Sequence, residues 1–437
     1  MSSFRLAAIG DGLIGPLVLT GRGVTGRVRT FVDNRFLKWL RVILPGAELA
    51  EHAVFGTPGG TTVAVAKRAQ AVLDLDPPPH AVLICAGLDD CLATIKGLAP
   101  RPEETVDALE ALATKFVAAR IMPIFVVPPP CVLFSNGLFA DRYVAIAATL
   151  RRMHERKNGS GLVDPTGILM RRRSPGIEPD PRYVKAGSDG QLSSLGAFRV
   201  AQEVARQLRA TFPQTSLRPS LFPQGVEALN ENPFLVGSRG RIATDAASGC
   251  CASGYYTKAL HMGGSRIQAI TSDARKGRVA QRLIFSGRYT TQWALVQLYQ
   301  EIDADTVNDL VTGDIIEAIC EFDLAGPVVN IAAVSLHATA VWDNDFIGLH
   351  SGQYVGGPGV SEAHGGYLRT PQFTLPAKLK KLHVSIHVNL LPGVNLTSGG
   401  QLDIRSIVVR KVEQKRPIVD QITNRKKEAR LEARSCI

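Results

Sequence analysis

Short, continuous apolar runs bounded by turn residues punctuate the first half of the chain: 4–9 (FRLAAI), 81–86 (AVLICA) and 121–127 (IMPIFVV). Runs of this length without polar alternation predict strands buried on both faces. Between and beyond them, apolar residues recur at three- and four-residue spacing, which predicts helices over 61–75, 103–120, 138–157 and 193–211. The second of these starts behind Pro102 and two acidic residues, a favourable opening because proline lacks the N–H that a first helical turn leaves unpaired. Strands alternating with helices give βαβ units and a parallel sheet. After Phe212 the texture changes, with four prolines in the 21 residues 213–233 and little periodicity. Strand-like segments then follow at 279–289, 313–324, 328–340, 380–390 and 401–412, separated by turns containing Gly, Asn and Asp. Many strands and almost no helix predict an antiparallel sandwich of jelly-roll type. The expected fold class is therefore α/β plus all-β: an α/β/α domain over 1–212, a linker over 213–231, a β-sandwich over 232–412 and a basic tail over 413–437.

Composition is that of ordinary globular material, with 45% hydrophobic and 20% charged residues in 437. No apolar run approaches the roughly 20 residues that span a bilayer. The start, MSSFRLAAIG, lacks the charged, apolar and small-residue regions of a secretory signal, so a protein made in a cytoplasm is expected. The net charge of +11 is unevenly spread: residues 410–437 carry nine Lys/Arg against four Asp/Glu. That tail reads either as a contact for an acidic partner or as a solvated helix that keeps the chain soluble. Nucleic acid is not the expected partner. Seven cysteines without a CxxC pair argue against a zinc site and against a disulfide framework. Cys250-Cys251 and Cys436 are the exceptions to watch for disulfides. His383 and His387 alternate on one strand and read as metal ligands or, more simply, as one face of a sandwich.

In an open parallel sheet, ligands gather at the carboxyl ends of the strands, so the segments after each strand carry the chemistry. These are Gly10-Asp11-Gly12, Gly56-Thr57-Pro58-Gly59-Gly60, Gly87-Leu88-Asp89-Asp90, and, before the last helix, Ser188-Asp189-Gly190-Gln191 followed by Leu-Ser-Ser-Leu-Gly. The ordered set resembles the four blocks of the SGNH (GDSL-like) hydrolase family, mostly esterases and lipases, over residues 4–210. The resemblance implies that the family's serine nucleophile falls on Gly12, its glycine oxyanion donor on Gly59, its asparagine donor on Asp89, and its Asp-x-x-His pair on Ser188 and Gln191. Asp189 takes the acidic place only by a one-residue slip, which puts Leu192 at the base. Glycine supplies no nucleophile, glutamine no base near neutral pH, and a carboxylate at Asp89 repels a developing oxyanion. Asp11 survives beside Gly12, while His52 and His80 stand in poor positions for a base.

The second half resembles β-modules attached to SGNH-like domains in phage- and prophage-encoded proteins, through Asn232-Pro233-Phe234-Leu235-Val236-Gly237, Gln281-Arg282-Leu283-Ile284-Phe285-Ser286-Gly287, Gly313-Asp314-Ile315-Ile316-Glu317-Ala318 and the run 402–409. Trp293, Tyr354 and Tyr367 are the candidates for stacking on glycan, because a ring face offers apolar area to a sugar; Trp342 is expected in the core. The leading expectation is a non-catalytic structural or adhesive component of a phage-like virion. It would be a homo-oligomer, bound to other virion proteins through the basic tail and to host glycan through the sandwich, with no cofactor and no membrane contact. The competing expectation is an esterase or deacetylase acting on surface polysaccharide.

Overall fold

The computed structural model describes residues 4–412 apart from 16–17, 24–25, 32–34, 94–99, 132–136, 157–159, 172–177, 186–189, 217–226, 263, 273–279, 289–293, 326–330, 344, 355–361, 391–394 and 397–399. The tail 413–437, with Cys436, lies outside the described residues. The expected parallel sheet is present. Its strands run in the order Ala47–Glu48, Phe4–Gly10 (β1), Ala81–Cys85, Met122–Val126 and Gly161–Val163, and Val54–Gly56 also pairs with β1. All the pairings are parallel.

Both faces of β1 are covered, which is why its sequence shows no polar alternation. Leu6 and Ala8 face a core with helices Phe36–Ile43 and Ser194–Thr211, while Ala7 and Ile9 face a second core with Thr62–Leu73, Pro102–Ala118 and Gly137–Arg156. The segment expected as one helix over 61–75 is two, Thr62–Lys67 and Ala69–Leu73, because Arg68 sits at φ −91°, ψ 1°.

The remainder is a largely antiparallel β-rich region of two eight-stranded sheets. In one, Gly264–Ser272, Ala280–Arg288, Gln401–Val412, Ile315–Ala325 and His364–Arg369 lie side by side; in the other, Asp345–Tyr354, Ile331–Trp342, Lys381–Leu390, Ala294–Glu301 and Tyr256–Leu260 do. Alternation decides the faces. Val334, Leu336, Val384 and Ile386 of one sheet meet Leu283, Phe285, Ile316 and Ile404 of the other in a single apolar core.

Residues 18–31, assigned by sequence to the N-terminal domain, belong to this region. They form a hairpin, Val18–Gly23 (β2) and Gly26–Phe31 (β3), and β3 pairs in parallel with Asp345–Tyr354, Arg27 opposite Ile347 through Thr30 opposite His350. The hairpin thus extends the second sheet at its edge. Immediately after it, helix Phe36–Ile43 (α1) is wedged between the two units. Leu37, Trp39 and Leu40 join the α/β core, whereas Val42 joins the sandwich core. The approach is close enough that a Cβ at Gly366 would stand 2.2 Å from Val42 O. Trp39, fully buried, meets the rings of Phe198 at 5.2 Å and His364 at 5.9 Å, edge on, while Arg199 of the last α/β helix pairs with Glu362.

Removing an indole at such a seam leaves a cavity that neither unit can refill by itself. Trp39→Ala is therefore expected to lower stability by about 3–5 kcal/mol, read as a shift in the urea midpoint at constant slope. A change below about 1 kcal/mol would mean that the seam is not tightly packed.

Candidate functional site

The site lies where the sheet's geometry requires, at the carboxyl ends of β1 and Ala81–Cys85. Asp11 N–H donates to Cys85 O at 3.0 Å and Thr57 N–H to Gly10 O at 2.8 Å, so strand pairing continues into the loops and fixes their relative positions. Two carboxylates then cross-link these loops. The Asp11 carboxylate is buried, with Oδ1 accepting from Leu13 N–H at 3.1 Å and Oδ2 from Leu88 N–H at 2.9 Å and Asp89 N–H at 3.2 Å. Asp89 Oδ2 accepts from Gly12 N–H at 2.9 Å and from Gly59 N–H at 2.8 Å.

The last pair of bonds defines the site. The backbone N–H groups of Gly12 and Gly59 converge on one point, the arrangement that stabilises a developing oxyanion, and the point is held by the protein's own carboxylate oxygen. Gly59 presents its N–H at φ +73°, a left-handed conformation that glycine adopts without steric cost. At Gly12 a Cβ would lie 3.3 Å from Asp89 Oδ2, so a side chain there and the Asp89 carboxylate compete for the same space. Asp90 plays a different part: wholly buried, it accepts from Thr62 N–H, Thr62 Oγ1 and Thr105 Oγ1 at 2.7–2.8 Å and fastens two helices together.

Burial pushes the Asp11 carboxyl up from 3.8 to about 7, and the neighbouring Asp89 charge adds to the rise against the backbone bonds that oppose it. Arg35, which sequence inspection passes over, donates through Nη1 to Gly12 O and to Leu13 O. Burial lowers its pKa and the charge of Asp11 works in the opposite direction. No local pattern announces Arg35, since it lies between the hairpin and α1.

The other expected residues scatter. Ser188 and Asp189 lie outside the described residues, and Gln191 is exposed, with its carbonyl accepting from Lys185 N–H. His80, already poorly placed for a base, accepts from Arg5 N–H through Nδ1 and is occupied elsewhere. Trp293 lies outside the described residues, as does the side chain of Tyr354. Tyr367, expected to stack on glycan, is only 6% exposed: it lies on the face of its sheet opposite Leu368, which joins the sandwich core, and the cover over its ring corrects that assignment. Trp342 is half-buried, stacked at 6.3 Å on Phe373 with Arg27 over its ring. Cys250 is exposed and Cys251 buried, and both are free thiols.

His383 and His387 belong to a histidine stripe on the outward face of the second sheet. His337 stacks on His387 with centroids 3.7 Å apart and planes 20° apart, and lies 3.9 Å from His350. Ser335 and Ser385 hold Nε2 of His337 and His387, and Gln297 also reaches His387. Rings stacked face on face do not aim lone pairs at one point. Among the described residues no group of three or more His, Cys, Asp or Glu is placed to hold a metal ion. Burial lowers all four histidines, His387 to about 3.

No protein-family model and no curated protein sequence matches the chain. Solved structures do resemble part of it. A lipolytic protein of the G-D-S-L family from Desulfitobacterium hafniense aligns over 47% of this chain and 99% of its own, at 18% identity and TM-score 0.36. A catalytic mutant of an acetylxylan esterase from Geobacillus stearothermophilus covers 47% of this chain and 94% of its own, at 16% identity and TM-score 0.35. The catalytic domain of a peptidoglycan O-acetyltransferase from Streptococcus pneumoniae covers 48% and 94%, at 16% identity and TM-score 0.32. The likeness is one of fold, that of the SGNH/GDSL-like hydrolases, over about half of the chain and at low identity.

The expectation of a non-catalytic virion component is corrected in favour of its alternative: the three structures named above are of a lipolytic protein, an acetylxylan esterase and a peptidoglycan O-acetyltransferase. The bacteriophage setting is withdrawn with it. Among the described residues no helix is long and apolar enough to cross a membrane.

Two pH dependences of opposite sign follow. The folded pKa of Asp11 is raised, so its contribution to stability is complete below about 3.8 and is lost as pH rises through about 7. Asp11→Asn should therefore gain stability relative to wild type as pH rises from 4 to 7 and level off above, in urea titrations. A pH-independent difference would place Asp11 in an ordinary environment. The histidines are lowered, so the unfolded chain binds protons that the folded one refuses, and stability falls as pH drops below about 6.5. His387→Gln should flatten that fall in thermal melts; parallel curves for mutant and wild type would refute the assignment.

Proposed function

We propose that the chain hydrolyses acyl esters, with the Asp89 carboxylate as general base and the backbone N–H groups of Gly12 and Gly59 as oxyanion donors. The observation that carries this reading is the convergence of those two donors on a single oxygen of Asp89. A cradle of two donors binds any oxygen bearing negative charge, and the ester carbonyl oxygen acquires one during attack. When that oxygen replaces Asp89 Oδ2, the displaced carboxylate stands beside the carbonyl carbon.

Glycine at position 12 has no hydroxyl, so the route runs without an acyl-serine at this position. Water attacks the carbonyl carbon and gives a proton to Asp89, while the C=O electron pair moves onto the oxygen held by the two N–H groups. Collapse of the tetrahedral adduct re-forms C=O and breaks the bond to the alcohol oxygen, which takes the proton back from Asp89. The products are a carboxylic acid and an alcohol. Asp11, neutral over much of the range below pH 7, keeps a second negative charge away from the adduct. Arg35, held on Gly12 O, fixes the peptide that presents one donor. Two further features of the chain belong to the same reading: the β-rich region is taken as a jelly-roll-type sandwich, and α1 ties it to the hydrolytic unit.

Asp89→Asn tests the proposal. Its amide oxygen can still accept from Gly12 and Gly59, so the fold is kept while the base is lost. Hydrolysis of 4-nitrophenyl acetate by the wild type, measured above a buffer control, should drop on the order of 10²-fold or more in the variant, at an unchanged melting temperature. A wild type without turnover, or a variant as fast as wild type, would overturn the reading.

A further inference from the structure

The outward face of the second sheet, which carries the histidine stripe, is unlike a sheet face built for water. Val334, Leu336, Val384 and Ile386 point into the sandwich core, so Ser335, His337, Ser385 and His387 beside them point out. Strand register sets the outward residues in rows. One row runs Tyr256, Tyr299, Ser385, His337, His350 and Thr30 across six strands, and the next runs Lys258, Gln297, His387 and Ser335. An antiparallel sheet usually turns a polar, charged side to solvent. The first sheet does so, with the pairs Arg282–Asp403 and Arg405–Asp323 on its outward side. The second does not. Among the described residues its outward charges stand at the margin: Arg241 and Lys258 on the last two strands, and Glu301 and Lys381 paired with each other at strand ends. Apolar side chains are exposed instead. Leu260, in register with Leu295, is 52% exposed at one side of the face, and Leu19, opposite Thr30, is 51% exposed at the other.

An aromatic, charge-poor centre inside a charged margin is the anatomy of a protein contact. The chemistry of the centre selects the partner. Burial keeps the four histidines neutral near neutral pH, and a neutral imidazole carries one donor and one acceptor, as a hydroxyl carries both. His350 and His383 make no hydrogen bond among the described residues, so each has both to offer. A strongly charged partner would find no opposite charge at the centre, and a wholly apolar one would strand these groups. The same face of a second copy brings donors and acceptors in equal number, the self-complementarity that a twofold contact requires. Size agrees with this choice. Its three longest strands have 10–12 residues, and seven strands spaced about 4.8 Å apart give a face on the order of 800 Å2. A stable pair needs about 800 Å2 from each copy.

We infer that this face is the contact between two copies of the chain, packed sheet to sheet about a twofold axis with the Tyr256–His350 row at its centre. Leu19 and Leu260 are covered in the pair, and the histidine and serine groups of one copy meet those of the other. Gly348, opposite Thr339, adds no side chain and keeps the middle of the face flat. The inference does not depend on ester hydrolysis, because every residue in it belongs to the β-rich region.

Sedimentation equilibrium of the full chain near neutral pH tests it. A species of twice the chain mass is expected at concentrations up to about 100 μM. Thr339→Arg places a guanidinium at a half-exposed position between Gly348 and His383, where pairing would desolvate it, and should weaken the dimer on the order of a hundredfold. Leu260→Glu, at an exposed margin position that the fold tolerates, should weaken it about tenfold and carries the test if Thr339→Arg fails to fold. A monomeric wild type overturns the inference, whatever else the face binds. So does an assembly of another stoichiometry, or a dimer indifferent to both variants, which would place the contact elsewhere on the chain.

Discussion

Two aspartate side chains hold the carboxyl ends of the central strands in one place. Asp11, at the end of β1, takes the N–H groups of Leu88 and Asp89, which follow the neighbouring strand. Asp89 in turn takes those of Gly12 and Gly59. Three loops separated by tens of residues are thereby stitched through four backbone donors, each of which would otherwise be left unpaired at a strand end or a short helix start. The arrangement has an electrostatic cost. Two carboxylates share a largely buried site, and the proton taken up by Asp11 near neutral pH is the means by which the cluster limits that cost.

The same interaction explains why a carboxylate can stand where oxyanion chemistry wants a donor. No substitution other than proline removes a backbone N–H, so a fold that builds a two-donor cradle must fill it with water, substrate or one of its own acceptors. Asp89 fills it. Whether that is an end state or a resting state depends on how readily the side chain leaves. Gly12 bears on this, because its missing Cβ leaves open the 3.3 Å of space that a side chain would take from Asp89.

Elements with a strong local pattern were legible in the sequence: β1, Ala81–Cys85, Met122–Val126, the helices Pro102–Ala118 and Ser194–Thr211, and the long sandwich strands. The hairpin 18–31 was not. Its first strand is mostly exposed and carries no apolar alternation, and it exists because β3 pairs with a strand more than 300 residues later. Helix α1 was missed because it is short: FLKWLRVI spans eight residues, and the single Lys38–Arg41 step that marks its polar side is too brief a period to stand out from a strand-like apolar run. Tyr367 reads as a binding residue because it sits in a glycine-rich run, but it pairs with the buried Glu321 on the face of the sheet away from the sandwich core and is itself covered there. At the site, the residue types at positions 12, 59 and 89 could be read directly. That two N–H groups meet on one Asp89 oxygen could not, since convergence is a property of three loops together.

The donor pair and the hairpin beside it are held by different constraints. The donors and both aspartates are set by parallel strand pairing, and the 56–59 turn is fastened further by Arg68 Nη1 donating to Gly56 O and Thr57 Oγ1 at 2.8–2.9 Å. The hairpin moves with the sandwich, because Arg29 is opposite Leu349 in the sheet ladder. A small rotation of one unit against the other about α1 would displace the hairpin and leave the Gly12–Gly59–Asp89 geometry unchanged. Donor geometry and hairpin position are in that sense mechanically separate. What couples them is the seam itself, where Trp39, Val42 and the Arg199–Glu362 pair resist that rotation. An eight-residue helix buried by both cores thus holds the hairpin at a fixed distance from the strand ends.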